Sequence, residues 1–284
     1  MPYIYYSMKN ILVINDNSAA ATNAAEFALS LAQKMHVNIL LASVSGISNK
    51  VCEKVQAGAF EDDLVIGPQK SATHMRLQAK KNTQNEFVPV ISEIDTSAMD
   101  EQKLAELINK NQIWMMVKGV SATCPPISPE KNLNVHAVLN NVLCPLLLVP
   151  ENWQLKPLER MVYIADLRYC RIQIVRYLAE LAKPWQASLS IAHLTARGLP
   201  DMHDKYALSI FKDEVCPNVN YDRLMFNNVK EKDLATAVDV LINGMHNDLL
   251  VLVNHHFHIE EILGRYINDI LPEPITIPLL IFPY

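Results

Sequence analysis

The sequence predicts an α/β protein built from two tandem doubly wound domains, each with about five parallel strands flanked by helices. One observation is a repeat: residues 11–16 and 161–166 are both apolar runs that end on an aspartate, at an offset of 150 positions. A second is that the predicted strands are almost wholly apolar without alternation, which is typical of strands covered by helices on both faces. In each half, such strands alternate with segments whose apolar residues recur at helical spacing.

The same offset of 150 positions relates two further pairs of segments. It carries residues 28–32 onto 178–182 and residues 38–42 onto 188–192. One offset for three segments indicates two copies of one unit of domain size, rather than a solenoid of short repeats.

The two halves also close on similar sequences, which sets the predicted domain boundaries. CPLLLVP ends at Pro150 and IPLLIFP ends at Pro283. With 284 residues in total, each half has the size of a domain that buries its own core. We predict one domain over 8–150 and a second over 158–284, with a short connector between them.

In the first half, apolar runs and helical spacing predict a regular order of elements. The predicted strands are 10–15, 37–44, 87–94, 113–117 and 145–149. A first helix follows the N-cap candidate Ser18, and the apolar positions that support it are Ala25, Ala28, Leu29, Ala32 and Met35. Because the next strand follows so closely, this helix must cross over to a parallel neighbour. Further helices are predicted over 101–111 and 135–143.

The second half predicts the same order. A strand, helix and strand cover 160–194, followed by a strand at 221–226, a helix at 232–245, a strand at 249–253, a helix at 259–271 and a strand at 278–282. Residues 46–85 and 195–220 are polar and irregular, and no element is predicted there. Loops at the carboxyl edge of such a sheet usually complete a binding cleft.

Composition excludes several classes of function. A net charge of −5 and the lack of a basic run with interleaved aromatics argue against a nucleic acid partner. The five cysteines are scattered without a Cys-x-x-Cys pair, a reduced pattern that favours neither disulfides nor zinc. The sequence shows no signal peptide and no run of membrane-spanning length, so we expect a cytoplasmic protein without a membrane partner. The start is open between Met1 and Met8.

Asp16 and Asp166 are the first candidates for ligand binding, since each ends the first strand of its half. Ligands of doubly wound sheets bind at the carboxyl ends of strands, where an aspartate accepts hydrogen bonds from a sugar or an amine. The alternative is a structural role, as an N-cap or Asx-turn residue that opens the following helix.

These features together resemble the universal stress protein family in its tandem two-domain form. The resemblance covers nearly the whole chain, from the strand ending in Asp16 or Asp166 to the closing CPLLLV. It implies an adenine nucleotide alpha hydrolase-like, Rossmann-like fold. It also implies that the closing strands of the two units pair, which would make the chain an intramolecular pseudo-dimer. Association into a homodimer and binding of an unknown protein partner or small molecule stay open.

The nucleotide motif of that family is largely lost from the first half. Nucleotide-binding members follow the fourth strand with Gly-x2-Gly-x9-Gly-Ser/Thr, whose backbone and hydroxyl hold the phosphates. The four positions fall here on Gly119, Ala122, Asn132 and Leu133. One glycine remains, and three prolines in the intervening loop remove amide donors. ATP held in the family's manner is therefore not expected.

The second half has lost the phosphate loop as well. Arg265 and Tyr266 occupy the last two motif positions, while His255 and His258 lie near the first two. Arg265 could hold a phosphate as a charged donor. One alternative is therefore a module that retains ATP or AMP through Asp166, Arg265 and the histidines.

The cluster His255, His256 and His258 is also the candidate metal site of a hydrolase, because histidine binds transition metals. No His-Glu-x-x-His pattern is present, and exposed histidines at a helix start are the alternative. No nucleophile elbow or Walker loop is found. The leading hypothesis is a non-catalytic stress-response or signalling protein without a cofactor, whose clefts bind a small molecule other than ATP or serve structure alone.

Overall fold

A computed structural model describes residues 9–43, 75, 76, 79, 87–121, 135–196, 198–231, 233–254, 259–263 and 271–284. The strands are β1 Asn10–Asn15, β2 Asn38–Ser43, β3 Ile91–Asp95, β4 Ile113–Val120, β5 Leu146–Pro150, β6 Arg160–Ala165, β7 Ser188–His193, β8 Leu224–Asn228, β9 Leu249–Val253 and β10 Leu279–Phe282. The helices are α1 Ala19–Met35, α2 Glu101–Lys110, α3 Val135–Leu139, α4 Ile172–Ala182, α5 Asp204–Ile210, α6 Leu234–Asp239 and α7 Ile259–Leu263.

All these strands form one sheet in the order β3-β2-β1-β4-β5-β10-β9-β6-β7-β8. Neighbours are parallel except β5 and β10, which pair antiparallel from Leu146↔Ile281 to Leu148↔Leu279. The predicted α/β class, with a mostly parallel sheet flanked by helices, is confirmed. The closing strands of the two halves do pair, as the resemblance implied.

Burial along the sheet follows the sequence pattern. The middle strands are apolar and buried on both faces, whereas β3 and β8 at the two ends carry exposed residues. These end strands are also where the predicted bounds are most in error. β3 begins at Ile91 rather than at residue 87, and β8 begins at Leu224 rather than at residue 221. A strand at the end of a sheet has a neighbouring strand on one side only and is partly exposed. Its apolar run is therefore short, and the run is a poor guide to where the strand begins.

Helix bounds differ from the predictions at two helices. α6 begins at Leu234 and ends at Asp239, after which the chain continues as one π-helical turn, Val240–Gly244. α3 ends at Leu139 rather than at residue 143. Of the helix predicted over 259–271 the structure describes Ile259–Leu263, and residues 264–270 lie outside the described residues. Such bounds depend on packing that local sequence does not encode.

A helix lies in the segment for which no element was predicted. α5 spans Asp204–Ile210 and continues as a π-helical turn, Phe211–Val215. Its residues Ala207, Ile210 and Phe211 are buried at helical spacing. This spacing is the signal from which α5 could have been predicted.

Aromatic side chains join the two halves beside the β5–β10 pair. Tyr177 of α4 stacks on Trp114 of β4, with ring centroids 4.8 Å apart, and donates a hydrogen bond to the Trp114 carbonyl at 3.1 Å. Phe282 of β10 packs edge-on against Tyr177 at 5.1 Å. Nearby, Asn254 donates to the side-chain oxygen of Asn140 at 3.0 Å.

The connector after β5 is tied to α1. The side-chain amide of Asn23 donates to the carbonyls of Pro150, Glu151 and Trp153 at 2.9 to 3.2 Å. The Trp153 ring lies 4.6 Å from the ring of Phe27. In the described part of the chain, no helix is both long and apolar enough to cross a bilayer.

Candidate functional site

In the first half, Asp16 lies in the turn between β1 and α1. Its Oδ1 accepts a hydrogen bond from the Ser18 N–H at 2.9 Å, which is the geometry of an Asx-turn. Ser18 in turn caps α1 by accepting from the Ala21 N–H at 3.0 Å. The predicted N-cap Ser18 is confirmed. Within the described residues, the second oxygen of the Asp16 carboxylate has no hydrogen-bond donor.

Asp166 differs from Asp16 because its carboxylate is buried and fully engaged. It is 3 % exposed and follows β6 directly. Oδ1 accepts from the Arg168 N–H at 3.0 Å and from Arg168 Nε at 2.8 Å. Oδ2 accepts from Arg168 Nη2 at 2.5 Å and from the Ala196 N–H at 2.9 Å. Four donors therefore fill the lone pairs that a sugar or amine would use.

These bonds decide the charge of the carboxyl group. Burial opposes ionisation of Asp166, but the Arg168 guanidinium and the two backbone N–H groups outweigh it and hold the pKa below its ordinary value. The hydrogen bond to Asp166 in turn raises the pKa of Arg168. Arg168 also donates to the Pro200 carbonyl at 3.2 Å, so it ties the loop after β6 to the loop after β7.

His193, the last residue of β7, is buried beside this pair at 1 % exposure. Its Nδ1 accepts from the Leu167 N–H at 3.2 Å, so the neutral ring carries its proton on Nε2. Among the described residues Nε2 has no hydrogen-bond partner. Burial lowers the pKa of His193 more than the nearby Asp166 raises it, which keeps the ring neutral near pH 7.

Next to Asp166 and His193 lies a cavity of about 860 Å³ at the carboxyl edge of the second half. The segments that line it are 194–204 after β7, the end of β8 with the loop behind it, the start of α6, and Glu261 of α7. His203 is also part of the lining. Among the described residues, its acidic and basic side chains are five carboxylates and one lysine, namely Asp201, Asp204, Glu231, Asp233, Glu261 and Lys230.

Gly119 lies inside β4, where it pairs with Val149 of β5, rather than in a loop after the strand. A Cβ on this residue would fall inside the contact distance of the Ala20 carbonyl and 2.6 Å from the Ala21 nitrogen. Glycine is therefore required here for close packing of β4 on the first turn of α1.

The other candidates from the sequence lie outside the described residues. They are Ala122, Asn132, Leu133, His255, His256, His258, Arg265 and Tyr266. In the part of the chain that is described, no three His, Cys, Asp or Glu side chains converge as a metal site.

Sequence reasoning missed the partners of Asp166 and the lining of the cavity. Arg168 stands two residues after Asp166, which is the spacing of an Asx-turn and was available as a signal. Ala196 and His193 carry no local signal, because the loop closure that brings them to Asp166 spans about 30 residues.

Comparison with solved structures identifies the architecture. A universal stress protein from Archaeoglobus fulgidus DSM 4304 superposes with a TM-score of 0.60 at 11% identity, over 96% of this chain and 97% of that one. The chain has the fold of the universal stress proteins. A putative universal stress protein from Pseudomonas aeruginosa UCBPP-PA14 gives a TM-score of 0.55 at 10% identity, over 97% and 93% of the two chains.

A protein of unknown function from Pseudomonas aeruginosa PAO1 gives a TM-score of 0.50 at 10% identity, over 97% of this chain and 92% of that one. All three structures are matched along nearly their whole length. At these identities the likeness concerns the fold alone. No protein-family model and no curated protein sequence matches the chain.

Proposed function

We propose that the protein is a non-catalytic, cytoplasmic stress-response or signalling protein of the universal stress protein type. In this proposal it binds a small molecule other than ATP in the cavity of the second half. The shared fold supports a protein of the universal stress protein type. The hydrogen bonds at Asp166 support a ligand other than ATP.

The saturated carboxylate of Asp166 is the observation that carries the proposal. A ribose or adenine donor would have to displace Arg168 or the Ala196 N–H, and a displaced Ala196 N–H would be left buried without a partner. Among the described residues, the cavity beside it carries five carboxylates against one lysine, a balance that disfavours polyphosphate.

A thermal-shift series with ATP, ADP and AMP in the presence of Mg²⁺ tests this proposal. We expect no rise in Tm, because a ligand raises Tm only if it binds the native state. Asp166→Asn and Asp16→Asn form a matched pair of similar size in the two halves. A rise of several degrees that is lost in Asp166→Asn and kept in Asp16→Asn would locate a nucleotide site in the second half. It would establish the nucleotide-binding alternative in place of this proposal.

A further inference from the structure

The cavity of the second half has the size of a small-molecule site and a strongly acidic lining. Its volume of about 860 Å³ lies within the range of ligand pockets, which is roughly 300 to 1,000 Å³. Five carboxylates surround it with Lys230 as the sole described lysine or arginine in the lining. Such a field concentrates cations and excludes anions.

Part of that acidity is used within the protein. Asp204 accepts from Asn228 at 2.5 Å and from Lys230 at 2.7 Å, and Asp233 caps α6 by accepting from the Thr236 N–H at 3.1 Å. These bonds neutralise Lys230 and fix the positions of the two aspartates.

Two other carboxylates of the lining can still accept hydrogen bonds from a ligand. Glu231 uses one oxygen, Oε1, for the Asp233 N–H at 3.0 Å, which leaves its second oxygen. Asp201 accepts no hydrogen bond from the described residues, although its charge lies close enough to the Arg168 guanidinium to help raise the pKa of that group. Both residues are exposed while they line the cavity, so their carboxylates are accessible to a ligand from solvent.

The cavity also has an apolar wall, which we define as Leu194, Leu199 and Met202 from the loop after β7. Val229 and Leu234 extend this surface from the side of β8 and α6. Methylene groups are stabilised when they are removed from water onto such a surface. A compact metal ion would make no use of it, and no three ligating side chains converge within the described residues.

We propose that this cavity binds an aliphatic oligoamine, with its ammonium groups paired with the carboxylates of Asp201 and Glu231 and its methylene groups on the apolar wall. This inference rests on the proposed function, since it names the class of small molecule that takes the place of ATP. The pairing is electrostatic, so affinity falls as salt screens it over the Debye length.

Isothermal titration calorimetry of spermidine into the intact protein at low ionic strength tests the proposal. We expect saturable one-to-one binding that weakens in 0.5 M NaCl. The double variant Asp201→Asn, Glu231→Gln preserves size and removes both charges, and we expect it to bind at least tenfold more weakly. Asp213→Asn is the control, because Asp213 is exposed on the turn after α5 and does not line the cavity.

Outcomes of this titration separate the inference from the proposed function. An absence of binding by spermidine and by 1,8-diaminooctane, or equal binding to wild type and double variant, would overturn the oligoamine site and leave the proposed function standing. Ca²⁺ binding of the same strength that is lost in the double variant would replace the oligoamine with a metal ion. Saturable binding of Mg-ATP would refute the proposed function itself.

Discussion

Asp166 and Arg168 hold two loops together at the carboxyl edge of the second half. Through Ala196 and Pro200 the pair connects the residues after β6 with those after β7. The side chain of Asp166 is 2 % exposed and that of Arg168 is 26 % exposed, so the carboxylate is shielded from water while the guanidinium is partly solvated. The aspartate that is a ligand-binding candidate in the sequence thus also connects these two loops.

Substituting Asp166→Ala should lower the free energy of unfolding by about 3 kcal/mol, because the buried Ala196 N–H loses its acceptor and the partly solvated guanidinium loses its ion-pair partner. Urea unfolding followed by circular dichroism measures this change. Asp204→Ala is the control, since it removes an exposed ion pair with Lys230 and should leave stability nearly unchanged. Equal stabilities of the two variants would contradict the structural role of Asp166.

His193 makes stability depend on pH. Its pKa in the folded protein is below 6.5, so the unfolded chain binds the proton more readily. The contribution is fully present above pH 6.5 and is lost as pH falls below that value. Unfolding free energies measured between pH 8 and pH 5 should fall less steeply in His193→Gln than in wild type. Parallel slopes would show that His193 is not buried as a neutral ring.

Local sequence predicted the position of Asp166 but not its partners. The carboxylate follows an apolar strand, and both a ligand role and an Asx-turn fit that position. The structure shows the Asx-turn at Asp166 and at Asp16. The bond from Ala196 depends on the path of a distant loop, which no short-range pattern encodes.

Among the elements, β4 and α1 form the closest contact that depends on a glycine. Gly119 admits the carbonyl of Ala20 where a side chain would collide with it. Gly119→Ala should therefore cost about 3 kcal/mol, because the backbone of α1 must move. Gly244→Ala is the matched control, since its added Cβ would meet Val240 Cγ1 at an ordinary 3.5 Å. Thermal unfolding distinguishes them, and a tolerated Gly119→Ala would contradict the packing.

The elements differ in how well the sequence predicted them. The bounds of β1 and the start of β6 were predicted to the residue, because buried parallel strands are continuous apolar runs. The starts of β3 and β8 were misplaced by four and three residues, because a sheet edge is partly exposed and its pattern is weak. α5 was missed although its buried residues recur at helical spacing.

At the scale of the whole molecule, the two halves share one sheet and one aromatic junction. Their strands follow the same order outward from the β5–β10 pair, and β6 and β7 lie 150 positions after β1 and β2. These correspondences support the predicted duplication. The domain bounds 8–150 and 158–284 stay predictions, because the sheet runs across the junction without a break.

Tyr177 tests how far the halves depend on each other. Tyr177→Phe should cost about 1 kcal/mol for the bond to the Trp114 carbonyl, and Tyr177→Ala about 3 kcal/mol for that bond and the ring contacts. Both are measured by urea unfolding. Tyr206→Ala, at a tyrosine that is 60% exposed, is the control and should change little. A stable Tyr177→Ala would contradict the junction.

Calorimetric titration of Mg-ATP into the intact wild-type protein tests most directly whether the second half lacks a nucleotide-binding site. The Asp166–Arg168 pair and the acidic cavity predict no saturable heat up to millimolar ATP. Saturable one-to-one binding at micromolar ATP, lost in Asp166→Asn, would contradict the account and show that the carboxylate is released for a nucleotide.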